Sequence, residues 1–338
     1  MQSVKAKATP TPSPGFTAPW PHRHILDLDA FSPQDIETVL SLAQSMKQVL
    51  QREVKKVPSL RGKTIITCFH EPSTRTRISF ETAGKLLSAD VINMQATGSS
   101  VEKGESLVDT LLTLQATACD VLVLRHPHAG APYLAARWLH RTSVVNAGDG
   151  THAHPTQALL DIFTLREHLG TLEGRTIVIV GDIAHSRVAR SNLWGLVRLG
   201  MRVVLCGPPT LLPWDLLNGR KETPGHPFAT VEVETDLDKA LEGADAVMAL
   251  RLQKERMQTG LIPSLREYIA LWQVNEHRLT RARPGALVLH PGPMNEGVEI
   301  SPGVAHGASS VIQEQVTNGV AVRMALLYLL CTAQERHP

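Results

Sequence analysis

The chain has 338 residues, a formal net charge of +2 and four cysteines. That length holds roughly two domains with ample core, and a near-neutral balance argues against a dedicated binder of nucleic acid or membrane surfaces. Cys68, Cys119, Cys206 and Cys331 form no C-x-x-C pair and no metal-ligand spacing, so reduced thiols in a cytoplasmic setting are expected. No long apolar run suggests a membrane span. Residues 1–23 are rich in Pro, Thr and Ala, with early lysines and no apolar signal core. They read as a disordered arm.

From residue 64 onward, short apolar runs alternate with helical patterns. "TIITCF" (64–69), "DVINMQ" (90–95), "DVLVLRH" (120–126) and "SVVNAGD" (143–149) read as strands, with helices expected near 74–88, 106–117 and 130–140. A helix over 155–168 bridges to a second series: "RTIVIVGD" (175–182), "RVVLCG" (202–207), "TVEVE" (230–234), "DAVMAL" (245–250) and "ALVLH" (286–290). A last helix, about 312–331, follows and is expected to pack back on the first half. The alternation predicts two doubly wound α/β domains, each a mainly parallel sheet with helices on both faces.

Polar motifs recur where the strands end, which is where such sheets bind ligands. "STRTR" (73–77), "RHPH" (125–128), "GDGTHAHPTQ" (148–157), "GDIAHSRVARSN" (181–192), "RLQKER" (251–256) and "HPGPMNEG" (290–297) are six such rims. In the first, Ser73 reads as the N-cap of a helix, with Phe80, Ala83 and Leu87 on its buried face and Gly84 permitting close packing. Thr74, Arg75 and Thr76 at the positive end of that helix suit a phosphate-like oxyanion; the plainer alternative is a capped surface helix with solvated arginines.

Several chemistries fit poorly. "GDIAHS" has only the first glycine of a dinucleotide fingerprint, and in "GSSVEKGES" (98–106) the lysine precedes the glycine that a P-loop would place before it. His152 and His154 form an H-x-H, and His126, His128 and His290 could add ligands, so spacing leaves a metal hydrolase open. Arginines crowd the same rims, however, and would repel a divalent cation while favouring anionic substrates.

The six motifs, in this order and at these separations, resemble the catalytic chains of the aspartate/ornithine carbamoyltransferase family, over about residues 24–331. The resemblance implies a carbamoyl-phosphate-binding domain (24–154 plus 312–338) and an aspartate-binding domain (155–311). It implies carbamoyl transfer from carbamoyl phosphate to the amine of L-aspartate, in pyrimidine synthesis, with no metal or organic cofactor. By resemblance, Ser73, Thr74, Arg75 and Thr76 hold the phosphate and Arg125 adds a second guanidinium. Thr76 and His154 face the carbonyl oxygen. Gln157 and the backbone at Pro291, Gly292 and Pro293 hold the carbamoyl amino group. Arg187 takes one aspartate carboxylate, and Arg251 with Gln253 takes the other. Arg77, His152 and His290 are expected to be structural.

In the family, the loop matching "GSSVEKGES" crosses from a neighbouring subunit of a homotrimer. Lys103 matches its lysine on the aspartate side, and Ser99, with Ser100 as the alternative, matches its serine on the phosphate side. The resemblance leaves open a larger assembly with a regulatory or dihydroorotase-like chain. Glu296 departs from the pattern, since close relatives carry arginine after "HPGPxN"; it either weakens anion binding or faces away. Ornithine carbamoyltransferase is the nearest rival, but its late H-C-L-P motif and S-M-G segment are here "HPGP" and "RLQKER". A noncatalytic phosphate-binding subunit is the other.

Overall fold

The computed structural model describes residues 20–95, 106–214, 218, 226–253 and 260–334. Residues 1–19 of the arm, together with Ser99, Ser100 and Lys103, lie outside the described residues. Trp20 and His22, read from the sequence as part of that arm, pack on Phe31, whose ring stacks on His22 at 4.3 Å.

Two all-parallel sheets form the frame. The first contains β1 (Thr64–Phe69), β2 (Asp90–Gln95), β3 (Val121–His126) and β4 (Ser143–Asp149), in the order β2-β1-β3-β4. The second contains β5 (Thr176–Val180), β6 (Arg202–Cys206), β7 (Glu232–Glu234), β8 (Ala246–Ala249) and β9 (Leu287–Leu289), in the order β7-β6-β5-β8-β9. The central strands read as unbroken apolar runs because helices cover both faces: all five residues of β5 and all four of β8 are buried.

The helices are α1 (Pro33–Leu50), α2 (Thr74–Leu86), α3 (Leu107–Ala116), α4 (Ala131–Trp138), α5 (Pro155–Leu169), α6 (Arg187–Arg198), α7 (Leu237–Ala240), α8 (Leu265–Trp272), α9 (Glu276–Leu279), α10 (Pro302–Ala305) and α11 (Ile312–Gln334). The sequence reading, which starts its elements at residue 64, does not single out α1. Its signals are nonetheless local. Ser32 accepts from the Asp35 N–H, Asp35 accepts from the Ser32 N–H, Pro33 opens the helix, and Ile36, Val39, Leu40, Ala43 and Met46 form one buried face.

On α2, Phe80, Ala83 and Leu87 are buried as their spacing predicts. A Cβ at Gly84 would lie 2.6 Å from Val91 Cγ2, so only glycine lets α2 sit this close to β2. By length and composition α11 is long and apolar enough to cross a membrane. Here it is a core helix: Ala321, Val322, Met324, Ala325, Leu326 and Leu327 are buried, and it packs on α1, α2 and α5.

In both sheets strand order reverses direction beside the first strand, between β1 and β3 and between β5 and β8. At such a switch point the helices leave on opposite faces and open a crevice beyond the strand ends. The C-terminal end of β3 and the loops after β1, β4, β5, β8 and β9 all reach one cleft.

Candidate active site

The cleft has a volume of about 590 Å³. Ser73, Thr74, Arg75, Thr76, Arg125, His154, Gln157, Arg187, Arg251, Gln253, Pro291, Gly292 and Pro293 all line it. Thus all the sequence-predicted site residues within the described residues are brought together; Ser99 and Lys103 fall outside them. Arg77 is not among the lining residues, and Glu296 is exposed and faces His306 at 3.2 Å, away from the cleft.

The N-terminus of α2 forms one wall. Ser73 stands at the N-cap, but its side chain makes no capping bond, contrary to the expectation that its oxygen would cap the first turn. Ser32, Ser106 and Ser186 do cap their helices. The first-turn N–H groups of α2 therefore keep their capacity for an oxyanion. Arg75 leans over Gly292, whose φ is +62°, and a Cβ there would collide with the guanidinium. Glycine at this point of "HPGP" thus gives Arg75 its place. Burial and the charge of Arg251 both lower the Arg75 pKa.

Arg125 comes from β3, where the pairing with β4 shifts register between Leu124 and His126. Such an irregularity re-aims a side chain, and here Arg125 donates to the Ala147 carbonyl at 3.3 Å. Glu71, which the motif reading missed, ties the two halves together. Its Oε2 lies 2.8 Å from Arg125 and 2.8 Å from Arg187. Arg187 also donates to the Gly150 carbonyl at 3.2 Å. Arg251 donates to Gln253 Oε1 at 3.2 Å, and the Gln253 N–H is held by Asp182 at 3.0 Å.

His154 occupies the N-cap of α5 without a side-chain capping bond, and it is 4% exposed. Burial, then Arg187, Arg125 and Arg323, hold its pKa well below the usual value, so the imidazole is neutral. Nδ1 is buried without a hydrogen-bond partner among the described residues, which leaves Nε2 as the ring nitrogen available to a ligand. The His154 N–H donates to Ser191 Oγ at 2.9 Å, and Ser191 donates to the buried Asp27 at 2.6 Å.

His152 and His290 take structural places. His152 pairs with Asp149 at 3.1 Å, so the H-x-H pair does not converge. His290 Nδ1 accepts from the Gly292 N–H at 2.8 Å, and its Nε2 meets Glu299 at 3.1 Å. Those two bonds hold the turn at Pro291. Among the described residues no group of three or more His, Cys, Asp or Glu side chains is placed to hold a metal ion.

The lining also includes Arg323, a buried guanidinium bonded to Ser79 at 2.6 Å, with burial lowering its pKa to about 10. Five arginines against the single carboxylate of Glu71 make the cleft strongly cationic. It can hold two anionic groups in its two halves and offers a neutral imidazole between them. Glu71 and Arg323 carry no local motif; their role rests on contacts over long sequence separations.

Residues 23–167 match the aspartate/ornithine carbamoyltransferase carbamoyl-P binding domain, and residues 173–330 match the Asp/Orn binding domain of the same family. The chain is 61% identical over 308 residues to an aspartate carbamoyltransferase catalytic subunit of Roseiflexus sp. (strain RS-1), covering 91% of this chain and 95% of that one. It is 56% identical over 316 residues to the corresponding subunit of Dehalococcoides mccartyi (strain CBDB1), covering 94% of each. In structure it resembles aspartate transcarbamoylase from Trypanosoma cruzi in complex with N-(phosphonacetyl)-L-aspartic acid, with a TM-score of 0.82, 32% identity and coverage of 91% and 95%. It also resembles ornithine carbamoyltransferase from Pyrococcus furiosus, with a TM-score of 0.81, 27% identity and coverage of 92% and 97%. With both halves matched in sequence and the two-sheet frame matched in structure, the chain belongs to the aspartate/ornithine carbamoyltransferase family.

Proposed function

We propose that the chain transfers the carbamoyl group of carbamoyl phosphate to the amine of L-aspartate, giving N-carbamoyl-L-aspartate and phosphate. The observation that carries the choice of acceptor is the pair Arg187 and Arg251, with Gln253, which the loops after β5 and β8 bring to the cleft. Two guanidiniums suit the two carboxylates of aspartate and would repel the cationic side chain of ornithine.

In this reading the phosphate sits on Ser73, Thr74, Arg75 and Thr76 at the α2 N-terminus, beside Arg125. The aspartate amine attacks the carbonyl carbon, and negative charge grows on the carbonyl oxygen. Thr76 and His154 donate to that oxygen, and a donor fixed in advance stabilises the tetrahedral state more than the ground state. The C–O bond to phosphate then breaks, the phosphate leaves with the electron pair, and the amine proton passes to the departing phosphate oxygen. A neutral His154 fits this role, since one ring N–H can donate without adding a fourth cation beside Arg125, Arg187 and Arg323.

The reading extends to a homotrimer with shared sites. Ile78, Ile92, Leu112, Leu134 and Trp138 are exposed apolar side chains on α2, β2, α3 and α4. In sequence these elements precede and follow the segment carrying Ser99 and Lys103, and a second copy of the chain would cover such apolar side chains. The four cysteines are free and buried, which supports a reducing, cytoplasmic setting.

An acceptor assay tests the assignment. With saturating carbamoyl phosphate, aspartate should be carbamoylated and ornithine should not. A preference for ornithine would sink it, and a chain silent with both acceptors would point to a noncatalytic subunit.

A further inference from the structure

Beneath the cleft lies a carboxylate with no direct place in the reaction. Asp161 is fully buried on α5, one turn beyond Gln157. Its Oδ1 accepts from Gln157 Nε2 at 2.9 Å and from Gln315 Nε2 at 2.7 Å, and its Oδ2 accepts from Asn192 Nδ2 at 2.9 Å. Three amide groups from α5, α11 and α6 thus hang from one side chain.

An ionised carboxylate has acceptors only, so each amide must turn its NH2 toward it. For Gln157, whose side chain lines the cleft, this leaves Oε1 as the amide atom facing the ligand. Gln315 is fixed in the same sense: its Nε2 meets Asp161 while its Oε1 accepts from the His290 N–H at 3.0 Å. His290 in turn accepts from the Gly292 N–H, so the turn bearing the Pro291 and Gly292 carbonyls is suspended from the same carboxylate.

We propose that Asp161 is the positioning residue that makes the cleft select a carbamoyl donor over an acyl donor of the same shape, by turning Gln157 Oε1 and the Pro291–Gly292 carbonyls into an all-acceptor wall. A carbamoyl NH2 donates two hydrogen bonds to such a wall. A methyl group of similar size donates none and leaves buried acceptors unpaired, which is how sites built around a substrate N–H reject analogues that lack it. Were Gln157 free to rotate, it could present its own NH2 instead, and the distinction would fade. The inference rests on the reading of the cleft as a carbamoyl phosphate site.

The experiment compares carbamoyl phosphate with acetyl phosphate, which differ as NH2 against CH3. Their dissociation constants, and that of inorganic phosphate, are measured by titration on the whole protein at pH 8. The wild type should bind carbamoyl phosphate about tenfold or more tighter than acetyl phosphate. In Asp161→Leu the two should come within about threefold of one another, while inorganic phosphate, held at α2, changes by less than about threefold. Combining Asp161→Leu with Gln157→Leu should cost less preference than the two single losses added together, because they share the Gln157 amide, and more than Gln157→Leu alone, because only Asp161 also holds the Pro291–Gly292 turn.

If Asp161→Leu fails to fold, Asp161→Asn carries the test. It offers one neutral oxygen where three donors met a charged pair, and the preference should still drop about threefold or more. A folded variant that keeps the full preference, or loses inorganic phosphate in parallel, overturns the proposal and makes Asp161 a stabilising core group. A wild type with no preference also overturns it. Failure of the wild type to bind carbamoyl phosphate at all would instead overturn the reading of the cleft.

Discussion

His154 is neutral because three guanidiniums and burial leave no room for another charge, and that sets what it can contribute. It can donate one hydrogen bond, and the bond matters most when the carbonyl oxygen becomes anionic. His154→Ala should therefore lower kcat, by about a hundredfold or more, corresponding to about 3 kcal/mol, with a smaller effect on carbamoyl phosphate affinity. Steady-state kinetics on a correctly folded variant check this, and an unchanged kcat refutes the role. Asp161 and Asp27 are perturbed in the other direction. Burial, the largest cause in each, raises Asp161 from 3.8 to about 7 and Asp27 from 3.8 to about 6. A carboxyl raised in the fold holds its proton there at pH values where the unfolded chain has lost it. Its stabilising contribution is full below the unfolded value of about 4 and is lost as pH rises through the folded value. Stability should therefore fall between about pH 4 and pH 7, and Asp161→Asn should flatten that fall. Urea midpoints at several pH values decide it: equal slopes in both proteins would show that Asp161 titrates as an ordinary carboxylate.

The helix N-termini divide by what satisfies their first turns. In α1 the Ser32 side chain and Asp35 cap each other; in α2 the Ser73 side chain caps nothing. Ser32→Ala should therefore cost about 1 kcal/mol of stability. Ser73→Ala should change stability by less than about 0.5 kcal/mol and weaken phosphate binding instead. Thermal melts beside phosphate titrations separate the two, and a Ser73→Ala protein as destabilised as Ser32→Ala would mean that Ser73 is a cap. The frame itself was readable from sequence wherever one local pattern decides an element. The strands from 64–69 to 286–290 and the helices at 74–88 and 155–168 agree with the structure within a few residues at their ends, because buried parallel strands are continuous apolar runs. Thirteen cleft residues sit in short motifs at strand ends; the motifs were readable locally, whereas the part each residue plays came from the family resemblance. Glu71, Arg323 and Asp161 were not readable locally. Glu71 bridges Arg125 and Arg187, far along the chain, and Asp161 meets Gln315, 154 residues away. Asp161 did leave one trace, a carboxylate four residues after Gln157 in a helix whose first eleven residues are all buried. A charge on such a helix needs partners, and the partners show where to look.

Among the described residues, the first sheet and its helices leave large apolar side chains in solvent. Ile78 and Ile92 are 54% and 51% exposed and Trp138 is 45% exposed, all in the half that carries the phosphate wall. In sequence, Lys103 falls between β2 and α3 of that half. If the sites are shared between copies, Lys103 completes the cleft of a neighbour and His154 completes its own. Lys103→Ala and His154→Ala should then each be nearly inactive as pure proteins, because every interface lacks one group. Dissociating, mixing and reassembling the two variants creates interfaces where a His154→Ala chain donates an intact Lys103 to a Lys103→Ala chain with an intact His154. Those clefts hold every group, so activity should return well above either parent. Mass measurement must show that mixed trimers have formed, since a failure of assembly would also leave the mixture inactive. Mixed trimers that remain as inactive as their parents would place Lys103 within its own chain, or outside the reaction altogether.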